Sequence, residues 1–69
     1  MTKTIKADRV NEAFDLTLFE ETDLLNAKRY KIEVKKDGRI INEQTLEALD
    51  VALSVYDGMQ LFYEKVVKE

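Results

Sequence analysis

The sequence predicts an α+β fold in which an antiparallel three-stranded sheet packs against one long C-terminal helix. Apolar and charged residues alternate with period two on either side of an Asp-Gly pair at 37–38, a pattern typical of a β-hairpin. From residue 43 onward the apolar residues recur at helical spacing. The chain has 69 residues, of which 45% are hydrophobic and 36% charged. This composition predicts one small domain over 1–69, with residues 1–8 expected to be flexible.

The first predicted strand covers about 13–19, where two interpretations compete. Residues 14–18 alternate as in a strand, but a helix beginning after Asp8 would also gather apolar residues on one face. We favour the strand because the helix would leave both Leu16 and Phe19 in water. The segment that follows is expected to cross over as a loop, with Leu24 and Leu25 packed beneath it.

The hairpin supplies the second and third strands, at about 29–35 and 39–42. Its alternation places Tyr30, Ile32 and Val34 on the core side of the sheet. Gly38 suits the turn between these strands because glycine adopts positive φ without a Cβ clash.

The helix is predicted over about 43–67, with Asn42 as its N-cap. Its apolar residues cover a wide arc, which a slim sheet cannot shelter completely, and Leu61 lies in the middle of the polar side. Gly58 also lies in the polar arc, where it weakens the helix or permits a close approach. A flank of this helix is therefore expected to contact another protein.

Residue types that are missing exclude several classes of chemistry. The chain has no Cys and no His, which removes disulfides, thiolate chemistry and imidazole catalysis or metal ligation. No run of carboxylates has the spacing of a cation-binding loop, and no apolar stretch is long enough for a signal peptide or a membrane span. We predict a cytoplasmic protein that is not an enzyme, without catalytic residues, cofactor, metal or small-molecule substrate.

The favoured function is a small protein-interaction module, a regulatory or accessory protein of a bacterium or phage. It would bind a partner protein or form a homodimer through the C-terminal helix. The predicted apolar contacts on that helix are Met59, Leu61, Phe62 and Val66.

Two alternatives rest on the uneven distribution of charge, with a net +4 over residues 28–42 and a net −5 over residues 43–64. The carboxylates of Glu43, Glu47, Asp50 and Asp57 could mimic nucleic-acid phosphates and block a nucleic-acid enzyme. In layout only, this order of strand, basic hairpin and helix resembles some anti-CRISPR proteins. The second alternative is DNA binding by the hairpin through Lys31, Lys35, Lys36 and Arg39, which the net charge of −3 disfavours.

Overall fold

A computed structural model describes residues 1–65 as a four-stranded antiparallel sheet with one helix packed on one of its faces. The strands are β1 (Thr2–Val10), β2 (Phe14–Thr22), β3 (Lys28–Lys36) and β4 (Arg39–Leu46), and the helix is α1 (Leu49–Glu64). The strand order in the sheet is β1-β2-β3-β4, so each strand pairs with its neighbours in the chain. The predicted α+β class is confirmed, but the predicted count of three strands is wrong.

The strand that the sequence did not predict is β1, which includes most of the segment 1–8 that was expected to be flexible. Successive side chains of this strand point to opposite faces of the sheet, but those on the helix side include the charged Lys6 and Asp8, which are only half-buried. Val10 is the sole buried residue of this strand. An edge strand of this kind carries little of the apolar alternation that makes inner strands recognisable.

The hairpin between β3 and β4 forms as predicted. Asp37 and Gly38 have φ values of 55° and 80°, the pair of positive angles that a type I′ turn requires. Pairing extends from this turn to Tyr30 opposite Leu46, with one bulge in between.

The helix begins at Leu49, so the prediction that it starts at 43 with Asn42 as N-cap is wrong. Residues 43–46 continue β4 because β3 is nine residues long. The N–H and C=O groups on the side of β3 that faces away from β2 need hydrogen-bond partners along that length. Asn42 lies within β4, and Ala48 takes the N-cap position without a side-chain hydrogen bond. The C-terminal part of the prediction, residues 66 and 67, lies outside the described residues.

The core lies between α1 and the two inner strands. Leu16, Leu18, Ile32 and Val34 have no exposed surface, and neither has Tyr56 of the helix. The strand interpretation of 13–19 is thus confirmed, as is the inward orientation of Tyr30, Ile32 and Val34. The buried set is completed by Val10, Phe14, Ala52, Met59 and Tyr63.

The loop between β2 and β3 does not cover the leucines that it carries. Leu24 and Leu25 are 102% and 86% exposed, which corrects the expectation that they pack beneath it. The Asp23 carboxylate instead organises a tight loop by accepting hydrogen bonds from the backbone N–H groups of Leu25 and Ala27, at 2.8 and 3.0 Å. Both leucines are therefore displayed on an ordered tip at one end of the sheet.

Candidate functional site

The candidate site is built on α1, whose orientation on the sheet is fixed by polar contacts with β1. The Tyr56 hydroxyl donates to the Asp8 carboxylate at 2.6 Å and lies 3.2 Å from the carbonyl oxygen of Leu16. Asp57, the next residue, forms an ion pair of 3.4 Å with Lys6. These contacts show which flank of the helix faces the β1 edge.

Burial and the hydrogen bond to Asp8 raise the pKa of Tyr56 above its ordinary value of 10.0. The phenol therefore remains protonated throughout the neutral range and acts as a hydrogen-bond donor between helix and sheet. Its complete burial makes it a structural anchor that no ligand can reach from solvent.

The C-terminal end of the helix is held by Tyr63. Its ring packs on Phe14 with a centroid distance of 4.8 Å, and its hydroxyl accepts a hydrogen bond of 3.3 Å from the Asn42 amide of β4. The backbone carbonyl of Tyr63 also accepts from the Asn11 amide at 3.4 Å. The middle and the C-terminal end of α1 are thus tied to the sheet, so the surface turned away from the sheet has a defined orientation.

That surface carries a row of apolar and small residues, which we call the outer stripe. One of them, Val55, is half-buried against the core, and the others are exposed. The members of the stripe recur three or four residues apart, the spacing of neighbours on one helix face: Val51, Ser54, Val55, Gly58, Leu61 and Phe62. Val51 is 48% exposed, Leu61 57% and Phe62 63%. Because Asp57 faces β1 from the opposite flank, the outer stripe lies on the solvent side and toward the β4 edge.

The predicted apolar contact residues are divided by the structure. Leu61 and Phe62 lie together on the outer stripe. Met59 is only 8% exposed and belongs to the core, because it lies on the same helix face as Tyr56 and Tyr63. We therefore remove Met59 from the predicted contact surface, and Val66 lies outside the described residues.

The predicted acidic residues do not share one surface. Glu43 lies on β4, on the sheet face opposite the helix, and is 3.4 Å from Lys31. Asp57 is paired with Lys6, and Asp50 lies at the start of α1, where its carboxylate accepts from the backbone N–H of Val51. Glu47 is exposed in the bend before the helix.

Three of the four predicted basic residues, Lys35, Lys36 and Arg39, lie close together near the hairpin turn, while Lys31 lies farther along β3 and is paired within the chain. Lys31 lies within 4 Å of two carboxylates, 3.6 Å from Glu33 and 3.4 Å from Glu43. The charge of Glu43 raises the pKa of Lys31 above its ordinary value of 10.5. The Lys36 ammonium lies 5.6 Å from the centroid of the Phe14 ring. Lys35 and Arg39 are exposed near the hairpin turn.

Sequence reasoning missed two exposed apolar groups outside the helix. The Leu24–Leu25 tip is the most exposed, and Ile40 and Ile41 of β4 are 48% and 49% exposed. The tip could have been recognised from Asp23, since an aspartate followed by two leucines and an asparagine is a plausible Asx-type turn that leaves the leucines without a strand or helix to bury them.

No protein-family model, curated protein or solved structure matches the chain. Within residues 1–65, no cluster of three or more Asp and Glu side chains is arranged to hold a metal ion. In the same described range, α1 lacks the combination of length and apolar character that crossing a membrane requires.

Proposed function

We propose that the protein is a non-catalytic interaction module that binds another polypeptide through the outer stripe of α1. The observation that carries this proposal is the exposure of Val51, Leu61 and Phe62 along one helix face while the inner face of the same helix is already packed on the sheet. Exposed apolar side chains scattered over a surface are ordinary, but a contiguous set on a rigid helix is typical of an interaction site.

Rigidity of the helix favours binding because little further ordering is needed on association. The side chains of Tyr56 and Tyr63 anchor α1 to the two edge strands of the sheet, β1 and β4. A partner that covers the stripe therefore gains apolar contact without the entropic cost of first ordering the helix. Recognition of an apolar helix face by a second helix or an apolar groove is a common mode of this kind.

Phe62 is expected to contribute most to binding because aromatic side chains are enriched among the residues that dominate interface energies. Complete burial of a large apolar side chain is worth roughly 1.5–3 kcal/mol. Since 63% of Phe62 is exposed before binding, its truncation to alanine should cost about 1–2 kcal/mol, or roughly a tenfold loss of affinity.

Affinity capture with three forms of the protein tests the proposal: the wild type, Phe62→Glu and Gln60→Glu. The last variant is a matched control, because it also adds one carboxylate to α1 but lies outside the outer stripe. Far-UV circular dichroism first establishes that all three forms are equally helical. The immobilised protein is then exposed to a lysate of its native host that also contains the untagged chain, so that a different protein and a second copy are scored together.

We expect the wild type and Gln60→Glu to retain the same polypeptide, and Phe62→Glu to lose it. Equal retention by Phe62→Glu would show that the outer stripe is not the binding surface. Failure of the wild type to retain either a host protein or the untagged chain would contradict the proposed function itself.

A further inference from the structure

We infer that the polypeptide bound by the outer stripe is a second copy of this chain, whose α1 packs antiparallel across the first with Gly58 at the crossing point. The inference rests on the proposed function, because it names the partner of the same surface. A two-fold axis through the crossing point fixes the orientation of the two copies and the residues that meet.

The outer stripe is complementary to itself when two copies run in opposite directions. Gly58 lies seven residues after Val51 and seven before Lys65. A two-fold axis at Gly58 therefore places Val55 opposite Leu61 of the second copy. The same axis places the small Ser54 opposite the large Phe62 of the second copy. Each large side chain thus meets a smaller one, as interdigitated helix packing requires.

Gly58 has no evident role within a single copy of the chain. It lies inside α1, where glycine is less favourable than alanine, and a Cβ added there would meet no atom within 4 Å. The fold of one protomer would therefore accept a side chain at this position without a clash. A glycine at the crossing point of two helices lets their backbones approach more closely than any other residue does.

The charges at the two ends of the stripe favour the antiparallel orientation. Asp50 is exposed in the first turn of α1, and Lys65 is exposed at its C-cap. The two-fold axis at Gly58 places Lys65 opposite Val51 of the second copy, one residue from Asp50, and this arrangement occurs twice. A parallel pair of helices would instead place Asp50 beside Asp50 and Lys65 beside Lys65, which is repulsive.

The size of the surface predicts a reversible dimer of modest affinity. A standard stable interface covers about 800 Å² on each partner, which would be about a sixth of the 4984 Å² exposed by this protomer. A helix of 16 residues is about 24 Å long and about 10 Å wide, so one of its faces covers less than that area. We therefore expect dissociation constants in the micromolar range, so the protein must be studied over a wide concentration range.

Sedimentation equilibrium combined with thermal unfolding tests the inference with the wild type and Gly58→Ala. The wild type should fit a monomer–dimer equilibrium between about 5 and 500 µM. At a concentration where both forms are monomeric, Gly58→Ala should unfold at a higher temperature because alanine is the better helix former. Its dimer dissociation constant should nevertheless rise at least tenfold, because two methyl groups then separate the crossing helices. A variant that is more stable as a monomer yet weaker as a dimer cannot be explained by a folding defect.

Charge reversal tests the orientation with Asp50→Lys, Lys65→Asp and the double variant. Each single variant should weaken the dimer, and the double variant should restore it, while circular dichroism reports the helicity of each form. A wild type that is monomeric at 500 µM overturns the inference, and so does a Gly58→Ala form that dimerises as tightly as the wild type. If the wild type is monomeric but the Phe62→Glu variant loses a captured host protein, self-association fails while the proposed function stands.

Discussion

Replacement of Tyr56 by phenylalanine should destabilise the protein by removing the hydroxyl that joins α1 to the sheet. This hydroxyl lies 2.6 Å from the Asp8 carboxylate and 3.2 Å from the Leu16 carbonyl oxygen, and the residue is completely buried. A hydrogen bond to a charged group contributes about 1.5–3 kcal/mol. Because 1 kcal/mol corresponds to roughly 4–8 °C in a domain of this size, we expect Tm to fall by at least about 5 °C.

Tyr63→Phe is the matched control for this prediction. It removes the same atom from the same helix, but the hydrogen bond that the Tyr63 hydroxyl accepts, at 3.3 Å, comes from the neutral Asn42 amide and involves no charged group. Differential scanning calorimetry at pH 7 should therefore rank Tyr56→Phe as clearly less stable than Tyr63→Phe. Equal Tm values for the two variants would refute the assigned role of the Tyr56–Asp8 contact.

The pH dependence of the Tyr56 contribution follows from its raised pKa. Burial keeps the phenol protonated in the folded protein above pH 10.0, where an unfolded tyrosine loses its proton. The folded state then binds more protons than the unfolded state, so the contribution is fully present below pH 10 and is lost as the pH rises above it. The difference in Tm between the wild type and Tyr56→Phe should therefore shrink between pH 9 and pH 11, and a constant difference would contradict this reasoning.

Three further predictions concern the loop, the helix and the open face of the sheet. Asp23→Ala should lower the free energy of unfolding by about 1–2 kcal/mol, because two hydrogen bonds to backbone N–H groups are lost. Urea unfolding measures this loss, and an unchanged midpoint would mean that the loop is ordered by other contacts. Met59→Ala should lower the free energy of unfolding by about 2–5 kcal/mol, because it truncates a core side chain. Leu61→Ala should change it by less than about 0.5 kcal/mol. A larger loss for Leu61→Ala than for Met59→Ala would mean that the inner and outer faces of α1 are assigned the wrong way round. Lys31→Gln should lower Tm because it leaves two directly opposed carboxylates, Glu33 and Glu43, without their shared cation. This last loss should diminish in 1 M NaCl, and a loss independent of salt would exclude a Coulombic origin.

The parts of the fold that could be predicted are those in which the local sequence pattern matches which residues are buried. Residues 14–18 and 30–34 alternate because these inner strands have one face on the core, and the Asp-Gly turn fixes the hairpin between β3 and β4. β1 gave no such signal, since Lys6 and Asp8 occupy its helix-facing positions. The helix start was placed too early because residues 43–48 contain acidic and apolar residues that suit either structure, and only pairing with β3 decides between them.

The candidate site was predicted only in part, because a local sequence pattern does not decide which residues share one surface of the fold. Helical spacing placed Leu61 on the polar side and put Met59 and Phe62 in one wide apolar arc. It therefore could not separate Met59, which lies one helical turn from Phe62 and faces the sheet. The predicted sets of acidic and basic residues were drawn from position along the chain. The acidic set is divided, because β4 carries Glu43 to the open face beside Lys31 while α1 keeps Asp50 and Asp57 on the other side. In the basic set only Lys31 lies apart from the residues at the hairpin turn.

The most direct test of the central claim is a dilution series of amide NMR spectra recorded from about 500 to 10 µM. Packing of two copies through the outer stripe predicts concentration-dependent shifts that are centred on Gly58 and extend to Val51 and Lys65, while the amides of Leu24 and Leu25 stay unchanged. Spectra that do not change on dilution, or shifts that map to the loop tip or the open face of the sheet, would contradict the claim.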